Sequence, residues 1–151
     1  MLRARFSDAL KEAMRAKHER KVGTVRLIIA ALKDRDIAAR GKGNADGIGD
    51  DEIAQMLQSM IKSRRVSIVL YEQGGRVELA EQEREEIAII ETFLPQQMSA
   101  AEVEAAIKAA IAEAGAKSIK DMGKVMATLK ARHVGQMDFA KASAAIKASL
   151  S

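Results

Sequence analysis

Apolar residues recur three and four positions apart along nearly the whole chain, and the one proline, Pro95, falls where that pattern pauses. Such spacing lines apolar side chains along one side of an α-helix, and nowhere does the alternation of a half-buried strand replace it. An all-α fold follows. Composition points the same way, because only 3% of the residues are aromatic while Ala, Leu, Ile, Met, Lys and Glu abound, all but Ile strong helix formers.

Leu2, Phe6, Leu10 and Met14 predict a first helix, and Val25, Ile28 or Ile29, and Leu32 predict a second that begins after Gly23. From Gly41 to Gly49 four glycines fall in nine residues, which predicts a mobile surface loop. Asp50 or Asp51 is the expected cap of a long third helix carrying Ile53, Met56, Leu57, Met60, Ile61 and Ile68, ended by Gly74-Gly75. A fourth helix is expected to bury Leu79, Ile87, Ile90 and Leu94 and to turn Glu81, Glu83, Glu85, Glu86 and Glu91 to water. Together these predict a four-helix bundle-like lobe over residues 1–94.

Pro95 lacks an amide donor and disfavours helix in the residue before it, so a boundary is expected there. Ser99 and Glu102 have the spacing of a capping box, which starts a fifth helix with Val103, Ile107 and Ile111 that stops at Gly115. Ser118 opens a sixth, with Ile119, Met122, Val125, Met126 and Leu129, broken by Gly135. Asp138 caps a seventh with Phe139, Ala142, Ile146 and Leu150, so residues 99–151 read as a small three-helix lobe.

Catalytic chemistry finds no foothold. Cysteine is absent, which excludes disulfides, thiolate nucleophiles and thiolate metal sites. The glycine loop lacks both the dinucleotide-binding spacing and the Gly-Lys-Ser/Thr of a P-loop, and Asp46, Asp50, Asp51 and Glu52 do not follow the spacing of a calcium loop. His18 and His133 belong to no metal-spaced pair and read as solvated or capping residues. Nothing in the run from Glu78 to Glu91 predicts a raised pKa, and no serine sits in a nucleophile elbow. No catalytic residue, cofactor or metal is expected. Met1 to Lys17 is basic and amphipathic, but Asp8 and Glu12 interrupt it and no long apolar run follows, so a cytoplasmic chain without a membrane partner is expected.

Charge is unevenly spread. Residues 1–40 carry 11 basic and 5 acidic side chains, 41–99 carry 6 and 11, and 100–151 carry 8 and 5, so two basic ends flank an acidic middle. Arg26, Lys33 and Arg40 lie seven apart and share one side of the second helix, while Lys62 and Arg65 share a side of the third. Such stripes neutralise phosphates by displacing counterions, without reading bases. With Tyr71 the one tyrosine and no tryptophan, base stacking has little to stand on, so any RNA contact is expected to read shape and backbone. Met56 with Met60 and Met122 with Met126 fall on apolar faces and read as core.

Four segments together resemble the GatB/YqeY family: Lys62-Ser63-Arg64-Arg65-Val66-Ser67-Ile68 through Tyr71; Gly75-Arg76 with Leu79, Ala80, Glu81, Glu83, Glu86 and Ile87; Phe93-Leu94-Pro95-Gln96-Gln97-Met98-Ser99; and Asp121-Met122-Gly123-Lys124-Val125-Met126. The resemblance implies a two-lobed helical protein similar to the tail of the B subunit of the glutamine-dependent aminoacyl-tRNA amidotransferase. That tail contacts tRNA, whereas the carbon-nitrogen ligase chemistry, with glutamine as amido-N-donor, belongs to other domains. The expected partner is therefore tRNA or the aminoacyl-tRNA machinery, contacted through Arg26, Lys33, Lys62, Arg65, Lys120 and Lys124. The alternative is a protein adaptor that docks its partner beside Phe93 and Leu94.

Overall fold

The computed structural model describes residues Met1–Ser151. Seven α-helices and one short 3-10 helix carry the chain, with no strand: α1 (Leu2–Arg15), α2 (Glu19–Gly41), α3 (Asp50–Gln73), α4 (Val77–Glu91), α5 (Ala100–Ala114), the 3-10 turn Ile119–Asp121, α6 (Met122–Arg132) and α7 (Phe139–Leu150). The fold is all-α. The chain divides into two compact units, Met1–Leu94 and Pro95–Ser151.

In the first unit Phe6, Val25, Ile28, Ile53, Met56, Leu57 and Ile90, all at most 1% exposed, bring α1 to α4 around one core. The rings of Phe6 and Phe93 meet edge to face, with centroids 4.9 Å apart, the geometry that the ring quadrupoles favour. Arg5 lies over the Phe93 ring and donates to the carbonyls of Thr92 and Phe93, tying the end of α4 back to α1.

The break between α1 and α2 is not at Gly23. It falls at Ala16 to His18, where Lys17 adopts a positive φ of 55° and the His18 Nδ1 accepts the amide of Lys21, capping α2. Gly23 sits exposed inside the helix, where its cost of about 1 kcal/mol relative to Ala is outweighed by the buried Thr24, Val25 and Ile28 around it. Asp50 does not cap its own helix either. It occupies the first turn of α3 and accepts the amide of Leu2 at 3.3 Å, capping the start of α1 instead.

In the second unit Ile107, Ala110, Val125, Leu129, Met137, Ala142 and Ile146 make a separate core among α5, α6 and α7. Ser99 and Glu102 form the capping box in full, each side chain bonded to the other residue's amide. Asp138 caps α7 through the amides of Ala140 and Lys141. Ser118 precedes a 3-10 turn rather than an α-helix, and Ile119 is 45% exposed instead of joining the apolar face of α6.

Candidate nucleic-acid interface

The long solvent-facing side of α2 follows from its register. Val25, Ile28 and Leu32 turn inward, so positions 26, 33 and 40 turn outward, and Arg26, Lys33 and Arg40 are all exposed. Seven residues span about 10 Å of helix, so the three cations form a ladder about 20 Å long. Arg26 and Lys33 make no ion pair, and Arg40 acts only at a distance, helping to depress the Asp36 carboxyl. Ile37, 56% exposed, lies between Lys33 and Arg40.

The other four cations fall elsewhere. Lys62 and Arg65 stand on the outer side of α3, and Arg65 is drawn to Glu91 of α4 at 3.5 Å. Lys120 lies in the 3-10 turn and Lys124 in the first turn of α6, both exposed and neither in an ion pair. The six residues thus sit as three local sets on α2, α3 and the start of α6.

The groups that sequence reading passed over are charged residues turned inward. Arg64 is only 15% exposed at its side chain; its Nε lies 2.9 Å from Glu86 and 3.8 Å from Glu83, and its Nη1 donates to the Met60 carbonyl. Glu83 and Glu86 therefore clasp α3 against α4 and do not face water as expected. Burial, and then the neighbouring Glu86 carboxylate, push the Glu83 carboxyl above its ordinary range, so the acidic run does hold a raised pKa. The warning lay in the sequence: Arg64 continues the stripe of Leu57 and Ile61, and Glu83 and Glu86 continue that of Leu79 and Ile90, so all three occupy core-facing positions.

A second clasp joins α1, α2 and the glycine loop. Arg3 donates to both Asp36 oxygens and to the Ile48 carbonyl at 2.6, 2.8 and 2.7 Å, while Asp36 accepts the Ile48 amide at 3.0 Å. Hydrogen bonds from Arg3 and then from the Ile48 amide hold the Asp36 carboxyl at about 2. Asn44 bridges the turn by donating to Gly47 and accepting from Asp46, and Ile48 is buried in the first core. The loop expected to be mobile is pinned at both ends.

No group of three His, Cys, Asp or Glu side chains is gathered as a metal cage, and no helix is long and apolar enough to cross a membrane. Phe93 is 5% exposed beneath Phe6 and Arg5, and Leu94 beside it is half-buried.

Fold and surface define a small all-helical protein whose helices present cationic faces. The chain belongs to the Yqey-like protein family, which it matches over residues 3–150, so the likeness carried by the four motifs holds at the level of the family. It is 31% identical, over 67% of its length and 52% of the relative's, to altered inheritance of mitochondria protein 41, mitochondrial, of Lachancea thermotolerans. To the protein of the same name in Saccharomyces cerevisiae it is 33% identical, over 58% of this chain and 45% of the relative. The chain spans about half the length of the curated relatives it matches.

Proposed function

We propose that this protein binds folded RNA, tRNA above all, through phosphate contacts, and performs no chemistry on it. The observation that carries this reading is the α2 ladder, where Arg26 and Lys33 stand exposed, aligned and without a carboxylate partner. An unpaired cation has no ion pair to break before it meets a phosphate, and each such meeting releases a counterion. Lys120 and Lys124 supply a second such set, and Lys62 adds exposed positive charge on α3. Arg65 contributes less, because Glu91 competes for it.

In this reading the protein acts beside the glutamine-dependent aminoacyl-tRNA amidotransferase, or other aminoacyl-tRNA machinery, as a module that holds tRNA while the ligase chemistry happens elsewhere. Its compartment is the cytoplasm, or the mitochondrion that the names of the yeast relatives give for those proteins; both hold tRNA. A filter-binding titration with deacylated tRNA at two salt concentrations tests the proposal. Affinity should fall steeply with salt; affinity indifferent to salt, or no binding at all, overturns it.

A further inference from the structure

We infer that the protein pairs with a second copy of itself, weakly and in antiparallel orientation, through the outer face of α3. Val66, Val69 and Leu70 stand three and four positions apart on that face and are 57%, 52% and 62% exposed, although the inner face of the same helix is packed into the core. They make one apolar strip on the C-terminal half of the helix. Arg65 and Glu72 lie seven residues apart on one edge of the strip, with side chains 66% and 48% exposed and Val69 between them.

This order of charges identifies the occupant. A two-fold axis perpendicular to α3 near Val69 reverses the helix and keeps each edge on its own side, so Arg65 meets the partner's Glu72 and Glu72 meets the partner's Arg65. On the opposite edge Val66 meets the partner's Leu70, and Val69 lies near the axis. A parallel arrangement, about an axis along the helix, would exchange the two edges and turn Arg65 and Glu72 away from each other's charge, so charge fixes the orientation. Within each chain Arg65 already leans on Glu91 and Glu72 on Arg84, so pairing extends two ion pairs into rows of alternating sign. A foreign partner would need no such symmetry in this chain.

A strip of three apolar side chains is too small for the roughly 800 Å² per partner of a stable dimer, so association is concentration-dependent and not obligate. Sedimentation velocity from micromolar to millimolar chain, without RNA, reads it independently of the RNA proposal. The weight-average mass of the wild type should rise toward the dimer, and Val69→Lys should weaken association about tenfold or more.

The decisive arm mixes two charge variants. Arg65→Glu alone places Glu against Glu72, and Glu72→Arg alone places Arg against Arg65, so each should stay monomeric. Mixed together they restore opposite-charge pairing and should associate within about threefold of the wild type. Circular dichroism of each variant confirms that these exposed substitutions leave the helices intact. A wild type that is monomeric at millimolar concentration, single variants that associate unchanged, or a mixture that does not associate overturns the inference, including the case in which another protein covers the strip.

Discussion

Arg3 and Asp36, 33 positions apart, face each other through two hydrogen bonds of 2.6 and 2.8 Å, and the backbone of Ile48 is held between them. One ion pair thereby orders the only long connection in the first unit.

Replacing Asp36 by Asn leaves Arg3 without its charge partner and weakens the hold on Ile48. We predict that stability falls by about 1–3 kcal/mol, the cost of unmaking a partly buried charge-assisted bond, and that amide exchange at Ile48 becomes faster. Because the folded carboxyl is held at about 2, below its ordinary 3.8, the contribution of Asp36 is full above pH 3.8 and is lost as pH falls toward 2. The Asn variant should lack that part of the acid transition, which urea titrations across this range would read.

Two glycines of the same loop should behave differently. A Cβ on Gly47 (φ +85°) would meet Asp36 Oδ1 at 2.5 Å and Arg3 Nη2 at 2.9 Å, whereas one on Gly43 (φ +92°) meets nothing. Gly43→Ala should cost about 1–2 kcal/mol for the positive φ alone. Gly47→Ala should cost clearly more, since it also displaces the ion pair. Equal melting temperatures for the two variants would contradict the pinned loop.

The Arg64 clasp makes opposite predictions for its members. Arg64→Met leaves Glu83 and Glu86 together without a cation and should cost about 3–5 kcal/mol. Glu83→Gln should instead stabilise the protein at pH 7 and leave it little changed at pH 4. The sign follows from the raised carboxyl: the favourable contribution of Glu83 is full below its ordinary 4.5 and is lost as pH rises through the higher folded value. Thermal melts at the two pH values separate these outcomes.

On RNA, Arg26→Glu with Lys33→Glu should weaken tRNA binding and flatten its salt dependence, by about 0.7–0.9 in the log-log slope for each phosphate no longer neutralised. Arg65→Ala should do less, because that side chain is shared with Glu91. A salt slope unchanged by the α2 double variant would remove α2 from the interface.

Sequence by itself determined the helices and several of their ends. The three-and-four spacing, the Ser99 and Glu102 box and the Asp138 cap all act within one or two turns of chain, so neighbouring residues suffice to specify them. Family membership was legible for a related reason, since its motifs are short and local.

Tertiary structure alone decided what the charged residues do. Arg64, Glu83 and Glu86 belong to the motifs that carry the family likeness, yet they hold two helices together, while Arg26 and Lys33 remain free on the surface. A glycine-rich segment became an ordered loop because Arg3, in the first turn of α1, reaches Ile48. A charge reads the same in the sequence whether it meets water or a partner dozens of residues away, and only the packing of helices brings that partner within reach.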